Sequence, residues 1–182
     1  HGQNNETLTI WTQANDIATL HVKRYLNEQQ DEGAYAGRLF YHLPDGCDLI
    51  SGSSMPIRDV DTFFNQTTKD IAIYANRGTN GIDGVVSTAF GIQQARKRPA
   101  TLLIGDISFL HDSNGLLASR FHDTDLTIVV MNNDGGGIFS YLPQSKEETY
   151  FEKLFGTPTG LTFDSIATMY QAEYFAVDSM DA

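Results

Sequence analysis

Two apolar runs in the middle of the chain each lead into a polar turn that contains glycine. The first run ends at Asp106, and the second ends at Asn133 and three glycines that begin at Gly135. The Asp106 carboxylate, the Asn133 amide oxygen and the Gly135 backbone carbonyl form a hard, all-oxygen ligand set. Such a set suits Mg²⁺, or Mn²⁺, which completes its coordination shell with phosphate oxygens and water.

The three consecutive glycines add a second feature to this ligand set. Gly135, Gly136 and Gly137 allow the backbone to approach a diphosphate closely and to adopt positive φ where needed. The pattern therefore predicts a site for a metal ion and a diphosphate. The alternative is an ordinary aspartate and asparagine that cap two loops, and spacing alone leaves it open.

The predicted ligands must be positioned by two neighbouring strands. Residues 102–104 and 126–131 are continuous apolar runs rich in β-branched residues, which predicts strands buried on both faces of a parallel sheet. The segment between Asp106 and Asn133 is long enough for one helix, predicted to begin near Asn114. In such a βαβ unit both turns open at the carboxyl edge of the sheet, where open α/β sheets bind their ligands.

Two further loops carry arginines after predicted strands. The strand at 47–51 leads to Ser54 and Arg58, and the strand at 71–75 leads to Arg77. A planar guanidinium suits a carboxylate ligand. The plainer interpretation is that Ser54 caps a helix and that each arginine is a solvated charge.

Helical and strand patterns alternate along most of the chain, which predicts an α/β fold with three layers, a mostly parallel sheet with helices on both faces. The residues before 16 carry no clear pattern. A last strand is expected at 174–177. The expected helices are 16–26, 32–43, 54–64, 83–96, 147–154 and 163–171, besides the one near Asn114.

Composition narrows the class of protein. The chain has 182 residues, 41% of them hydrophobic, and a net charge of −11, so a nucleic-acid-binding surface is not expected. No apolar run approaches the roughly 20 residues of a membrane span. The single cysteine, Cys47, permits no disulfide framework, and a cytoplasmic location fits.

The ends of the sequence suggest a piece of a longer polypeptide, because it starts at His1 without a methionine and stops directly after a strand-like run. Residues 1–31 are expected to be a linker or the end of a preceding domain. Residues 32–182 are expected to form the diphosphate- and metal-binding domain, truncated at its C-terminus.

Four strings carry a resemblance to a known family: SGSSMPIRD (51–59), NRGTNGIDGVVSTAFG (76–91), GDISFLHDSNGL (105–116) and NNDGGGIFSYLP (132–143). The third and fourth strings, which contain Asp106 and Asn133, resemble the metal-diphosphate motif of thiamine diphosphate enzymes. All four together resemble the MenD family, synthases of 2-succinyl-5-enolpyruvyl-6-hydroxy-3-cyclohexene-1-carboxylate in menaquinone biosynthesis. The resemblance implies the thiamine diphosphate-binding fold and thiamine diphosphate as the cofactor.

The resemblance also implies roles for individual residues. Ile82 resembles the apolar residue that props the cofactor in its bent form. The remaining cofactor contacts implied are Ser54, Gly105, Asp106, Ile107, Ser108, Asn133, Gly135, Gly136 and Ile138. The substrate contacts implied are Arg58, Arg77, Ile138, Phe139 and Leu142.

The activity implied by the resemblance is a transferase reaction in which 2-oxoglutarate is decarboxylated and a succinyl carbanion equivalent is added to isochorismate. In that family a glutamate from the first domain of a neighbouring subunit activates the cofactor. No catalytic residue is therefore expected within this chain, which alone should be inactive. The active species is expected to be a homodimer or homotetramer of the full-length polypeptide.

Two alternatives remain beside this hypothesis. One is another thiamine diphosphate enzyme, of the acetolactate synthase or decarboxylase type, which the general metal motif does not exclude. The strings SMPIR, NRGTNGIDG and IFSYLP argue against it, because they resemble the MenD family beyond what metal binding requires. The other is a non-catalytic nucleotide-binding α/β module. The two common nucleotide signatures, Gly-x-x-x-x-Gly-Lys-Ser/Thr and Gly-x-Gly-x-x-Gly after a strand, are absent from the sequence.

Overall fold

The computed structural model describes residues 5–65, 67–76 and 81–179. Within them a parallel sheet of four strands has the order β2-β1-β3-β4. The strands are β1 (Asp48–Ser51), β2 (Ala72–Ala75), β3 (Ala100–Gly105) and β4 (Leu126–Met131). The predicted α/β fold with a parallel sheet is confirmed.

Seven α-helices and several shorter turns surround the sheet in the described part of the chain. The helices are α1 (Asn5–Glu28), α2 (Glu32–His42), α3 (Met55–Phe63), α4 (Val85–Arg96), α5 (Asp106–His111), α6 (Glu148–Phe151) and α7 (Asp164–Tyr170). The 3₁₀ segments are Ser113–Arg120, Gly137–Tyr141 and Pro143–Lys146, and Glu152–Gly156 forms a π turn. No helix among the described residues is long and apolar enough to cross a membrane.

Side chains of β1 and β3 alternate between two hydrophobic cores, one on each face of the sheet. Leu49 and Leu103 point to the face covered by α2 and α3. Ile50, Leu102 and Ile104 point to the face covered by α4, α5 and α7. Because both central strands are buried on both faces, helices must cover both, which produces the three predicted layers.

The strand order creates a crevice between β1 and β3. From β1 the chain moves outward to β2, and then returns through α4 to β3 on the other side of β1. The loops after β1 and β3 therefore diverge at the carboxyl edge of the sheet. This reversal of direction is the place where open α/β sheets bind ligands.

The first helix is longer than predicted. The sequence predicts a helix only over 16–26, whereas α1 begins at Asn5. Leu8 and Trp11 on this helix are 63% and 71% exposed. Polar residues predominate before residue 16, so the sequence pattern did not predict the first three turns of this helix.

The connection from β3 to β4 also differs from the prediction. The sequence predicts a helix that begins near Asn114, but α5 begins at Asp106, immediately after β3, and a 3₁₀ segment follows it. The Asp112 carboxylate accepts hydrogen bonds from Ser87 N at 2.7 Å and Ser87 Oγ at 3.1 Å. Asp112 thus stabilises the first turn of α4.

The strand predicted at 126–131 is confirmed as β4, but its predicted burial and the strand predicted at 174–177 are wrong. The strand β4 is only half-buried, not buried on both faces, because in the described chain it is an outer strand paired with β3 alone. The segment 174–177 is not a strand, and Phe175 is 78% exposed. An apolar run becomes a strand only where it finds a hydrogen-bonding neighbour, which its own sequence does not specify.

Candidate functional site

A cavity of about 500 Å³ lies at the carboxyl edge of the sheet, where the loops after β1, β3 and β4 converge. It occupies the crevice created by the strand order. Twelve residues predicted for the site line it: Ser54, Arg58, Ile82, Gly105, Asp106, Ile107, Ser108, Asn133, Gly135, Gly136, Ile138 and Phe139. Of the other two, Leu142 lines a neighbouring cavity, and Arg77 lies outside the described residues.

Asp106 connects two loops of this cavity. Its side chain is buried, and Oδ2 accepts a hydrogen bond of 2.7 Å from Gly135 N, while Oδ1 accepts one of 2.7 Å from Ile107 N. Each carboxylate oxygen has two lone pairs, so both retain capacity for a further ligand. Asp106 can therefore fix the glycine loop and face a cation at the same time.

The glycine loop packs closely against the segment at 155–158. Gly135 has φ +141°, and a Cβ atom there would lie 2.0 Å from Gly156 O. A Cβ atom on Gly136 would lie 2.4 Å from Phe155 O, and Gly136 N donates to Gly156 O at 2.7 Å. These glycines are required by the packing of the loop itself, besides any approach to a diphosphate.

Asp134 anchors the same loop from its other side. Its Oδ1 accepts hydrogen bonds from Thr159 N at 2.8 Å and Gly160 N at 2.7 Å. These backbone donors, with Gly160 first, lower the pKa of Asp134. The residue adopts φ +58°, a conformation that aspartate tolerates better than most side chains.

Asn133 forms a hydrogen bond with Glu32, which the sequence pattern does not identify as a site residue. Its Nδ2 donates a hydrogen bond of 3.0 Å to Oε2 of Glu32, which also lines the cavity. Burial raises the pKa of Glu32, the hydrogen bond from Asn133 opposes that shift, and the nearby Asp106 and Asp31 carboxylates add to it. In the sequence Glu32 resembles any acidic residue in the first turn of a helix, so no local signal could have identified it.

The oxygen atoms at this edge are of the kind that hard divalent cations bind. Among the described residues no three His, Cys, Asp or Glu side chains converge on a possible metal site. A metal here would depend on mixed oxygen donors: the Asp106 carboxylate, Oδ1 of Asn133 and the Gly135 carbonyl. That carbonyl accepts one hydrogen bond of 3.0 Å from Gly137 N and keeps a second lone pair.

Ser54 precedes α3 in an unusual backbone conformation. Its φ of 72° and ψ of −127° are strained for a residue with a side chain, and its hydroxyl makes no capping hydrogen bond. The N-cap interpretation is therefore wrong for the side chain. Arg58 Nη1 donates to Ser54 O at 2.7 Å, which ties the arginine to this loop.

The neighbouring cavity, of about 420 Å³, shares Arg58, Ile138 and Glu32 with the first. Leu142 and Asp59 also line it. Asp59 is 4% exposed, and its Oδ2 has no hydrogen-bond partner among the described residues. Burial, with smaller contributions from the Glu32 and Asp31 carboxylates, raises the pKa of Asp59 to about 7.

Comparison with known proteins identifies a matching family and similar sequences. Residues 62–182 match the family described as "Thiamine pyrophosphate enzyme, C-terminal TPP binding domain". The chain is 56% identical over 173 residues to 2-succinyl-5-enolpyruvyl-6-hydroxy-3-cyclohexene-1-carboxylate synthase of Lysinibacillus sphaericus (strain C3-41). It is 54% identical over 168 residues to the synthase of that name from Bacillus pumilus (strain SAFR-032). The alignments cover 95% and 92% of this chain but only 30% and 29% of those relatives.

A solved structure shares the fold at low sequence identity. Benzoylformate decarboxylase from Polynucleobacter necessarius superposes with a TM-score of 0.65 at 21% identity. The match covers 85% of this chain and 29% of that one. At this level of identity the likeness concerns the fold alone.

Proposed function

Because the chain belongs to the thiamine pyrophosphate enzyme family, through its C-terminal TPP binding domain, we propose that the larger cavity binds the diphosphate of thiamine diphosphate with Mg²⁺ or Mn²⁺. One observation carries the proposal: Asp106, Asn133 and Gly135, from the ends of two adjacent parallel strands, line one cavity at the sheet's reversal point. These residues would supply the protein oxygens to the metal.

Other residues of the cavity would hold the remainder of the cofactor. We assign contacts to Ser54, whose hydroxyl makes no capping bond, to the backbone around Gly105, Gly136, Ile107 and Ser108, and to the apolar side chains of Ile82 and Ile138. When bound, thiamine diphosphate supplies the carbanion chemistry. The chain's own contribution is to position the cofactor and limit its contact with water.

We further propose that residues 32–182 form the diphosphate-binding domain of a longer synthase, with residues 1–31 as the linker before it. The support is 56% identity to a protein named as a 2-succinyl-5-enolpyruvyl-6-hydroxy-3-cyclohexene-1-carboxylate synthase, of which this chain spans about 30%. The substrates would be 2-oxoglutarate and isochorismate. The location would be cytoplasmic.

The substrates would lie beside the cofactor. Arg58, at the junction of the two cavities, would bind a substrate carboxylate, and Arg77 keeps the same role as a prediction from the sequence. Ile138, Phe139 and Leu142 would form the apolar wall over the six-membered ring. Phe139 packs on Phe155 with ring centroids 5.6 Å apart, which holds that wall against the glycine loop.

The site would be completed by residues outside this chain. A glutamate that activates the cofactor is expected from another domain of a neighbouring subunit, in a homodimer or homotetramer of the full-length polypeptide. The 182-residue chain alone should therefore release no carbon dioxide from 2-oxoglutarate.

Calorimetric titration of the complete polypeptide with thiamine diphosphate, with and without Mg²⁺, tests the cofactor assignment, and ATP with Mg²⁺ is the control. We expect metal-dependent binding of thiamine diphosphate and none of ATP. Mass spectrometry of reactions with 2-oxoglutarate and isochorismate tests the activity, and pyruvate replaces 2-oxoglutarate in the control. Binding of ATP in place of thiamine diphosphate would reject the cofactor assignment, and turnover of pyruvate in place of 2-oxoglutarate would reject the substrate assignment.

A further inference from the structure

We propose that Glu32 is a positioning residue that orients the Asn133 carboxamide so that its oxygen, and not its nitrogen, faces the metal. The inference rests on the metal part of the proposed function and assigns a role to a residue that the sequence pattern does not identify. It comes from one contact between segments 101 positions apart, in which Asn133 Nδ2 donates to Glu32 Oε2 at 3.0 Å.

The two ends of a carboxamide differ chemically but have nearly the same shape. The oxygen can coordinate a metal, whereas the NH₂ group is a donor with no lone pair to offer. Asn133 is an exposed side chain, and its terminal torsion is intrinsically close to two-fold. Its sequence position alone therefore does not decide which end faces the cavity.

Glu32 determines which end of the Asn133 carboxamide faces it, because an ionised carboxylate only accepts hydrogen bonds. With Nδ2 toward Glu32, the pair forms a hydrogen bond to a charged group. A rotated Asn133 would place two acceptor oxygens against each other at the same distance. The orientation with Oδ1 turned away from Glu32 is therefore the stable one.

Gly137 leaves space for the nitrogen end, because it carries no side chain. A Cβ atom built at Gly137 would lie 2.6 Å from Nδ2 of Asn133. Any side chain at this position would push the NH₂ group out of its place beside Glu32. Two residues from different segments therefore surround the same end of the carboxamide.

Glu32 is itself well fixed. It is the first residue of α2, and the preceding Asp31 caps that helix by accepting a hydrogen bond of 3.0 Å from Ala34 N. Ala36 and Phe40 of α2 are buried against the sheet. A group that orients a metal ligand works best when its own backbone is rigid, and α2 provides this.

The experiment measures the Mg²⁺ dissociation constant of the complete polypeptide saturated with thiamine diphosphate, by calorimetry and without turnover. Glu32→Gln keeps the shape of the side chain, but an amide can pair with either end of Asn133. We expect the Mg²⁺ Kd to rise about tenfold or more, since loss of a group that orients a metal ligand typically costs about 10–100-fold in metal affinity. Asp31→Asn, which removes the same charge one residue away and keeps the helix cap, should change it less than about threefold.

A second pair of variants separates orientation from a general structural role. In Asn133→Asp a carboxylate presents oxygen in either orientation, but it now opposes Glu32. Adding Glu32→Gln to Asn133→Asp should therefore tighten Mg²⁺ binding, which reverses the sign of its effect in the native sequence. Thermal unfolding of each variant verifies that it is folded.

Equal effects of Glu32→Gln and Asp31→Asn, or the same weakening by Glu32→Gln in both backgrounds, would overturn the inference. A wild-type polypeptide that binds Mg²⁺ with thiamine diphosphate but forms no product would instead reject only the proposed activity. If the wild type shows no metal-dependent cofactor binding, both the metal assignment and the proposed role of Glu32 are rejected.

Discussion

The carboxylate of Asp106 accepts a hydrogen bond of 2.7 Å from the backbone amide of Gly135, and so joins the end of β3 to the loop after β4. Two of the three proposed metal ligands are thus directly connected through the protein. The glycine loop is held in place by the polypeptide itself, and a change at Asp106 affects both the ligand set and the loop.

Asn133→Ala and Asp106→Ala should both abolish Mg²⁺-dependent binding of thiamine diphosphate. Only Asp106→Ala should also lower the free energy of unfolding. Asn133 is exposed, whereas loss of Asp106 leaves the part-buried Gly135 and Ile107 amides without their partner, at a cost of about 1–3 kcal/mol each. Calorimetry gives the affinity and urea unfolding the stability. Near-normal cofactor affinity in both variants would reject the metal assignment.

Gly135→Ala should disrupt the diphosphate loop, because the new Cβ would lie 2.0 Å from a backbone oxygen at φ +141°. Gly160→Ala is the matched control, since Gly160 also has positive φ, at +63°, but has open space around it. The control should lose about 1–2 kcal/mol through backbone strain alone. Cofactor affinity, measured by calorimetry, should fall strongly for Gly135→Ala only. Equal cofactor affinities of Gly135→Ala and Gly160→Ala would show that the contact with Gly156 does not shape the site.

Arg58→Lys keeps the charge but removes the planar fork that suits a carboxylate. A hydrogen bond to a charged group contributes about 1.5–3 kcal/mol, so kcat/KM for a carboxylate substrate should fall about ten- to a hundredfold. Thiamine diphosphate affinity should stay nearly unchanged. Arg120→Lys is the control, because Arg120 bonds to Gln171 and lines neither cavity. Arg77→Lys should behave like Arg58→Lys. A loss of cofactor affinity with intact substrate constants would assign the arginines to the cofactor.

Asp59→Asn should flatten the dependence of stability on pH. The pKa of Asp59 is raised from 3.8 to about 7, so between these values the folded state holds a proton that the unfolded chain has lost. Its contribution to stability is complete below about pH 4 and is lost as the pH rises through 7, on the order of a few kcal/mol. Urea unfolding from pH 4 to 8 measures this.

Other groups face Asp59 and set the limits of that experiment. Asp31 and Glu32 lie at the start of α2, as its N-cap and its first residue. Tyr25 lies on α1, and Arg58 precedes Asp59 on α3. Burial also raises the pKa of Glu32, so the flattening should be partial. Asp61→Asn, at an exposed position of α3, is the control and should keep the native slope. An unchanged slope in Asp59→Asn would show that Asp59 is ionised across this range.

Asp48→Asn should destabilise the fold without affecting the site. The buried carboxylate accepts from Arg96 Nε at 2.8 Å, and Arg98 Nε lies 3.6 Å away. Because both arginines are partly exposed, we expect the free energy of unfolding to fall by about 2–4 kcal/mol, which is less than for a fully buried pair. The control Asp70→Asn breaks a pair in which Asp70 is 77% exposed and should cost under about 1 kcal/mol. Equal losses of unfolding free energy would contradict the distinction.

Local sequence patterns determined the parallel α/β fold and much of the candidate site. The apolar runs at 102–104 and 126–131 predicted two adjacent strands, and the polar residues after them, Asp106 and Asn133, do line one cavity. This works because hydrophobic periodicity and turn composition act over a few residues, and because parallel strands bring their carboxyl ends to one edge. Their functional roles remain predictions.

Only the tertiary structure decided which distant groups meet. Glu32 contacts Asn133 across 101 positions, Asp112 caps α4 from another element, and Asp59 is buried without a partner among the described residues. The half-buried state of β4 and the absence of a strand at 174–177 depend likewise on which neighbours each segment finds. An acidic residue has the same local pattern whether it faces water or a metal ligand. The difference arises only when packing sets its distance from other groups and its access to solvent.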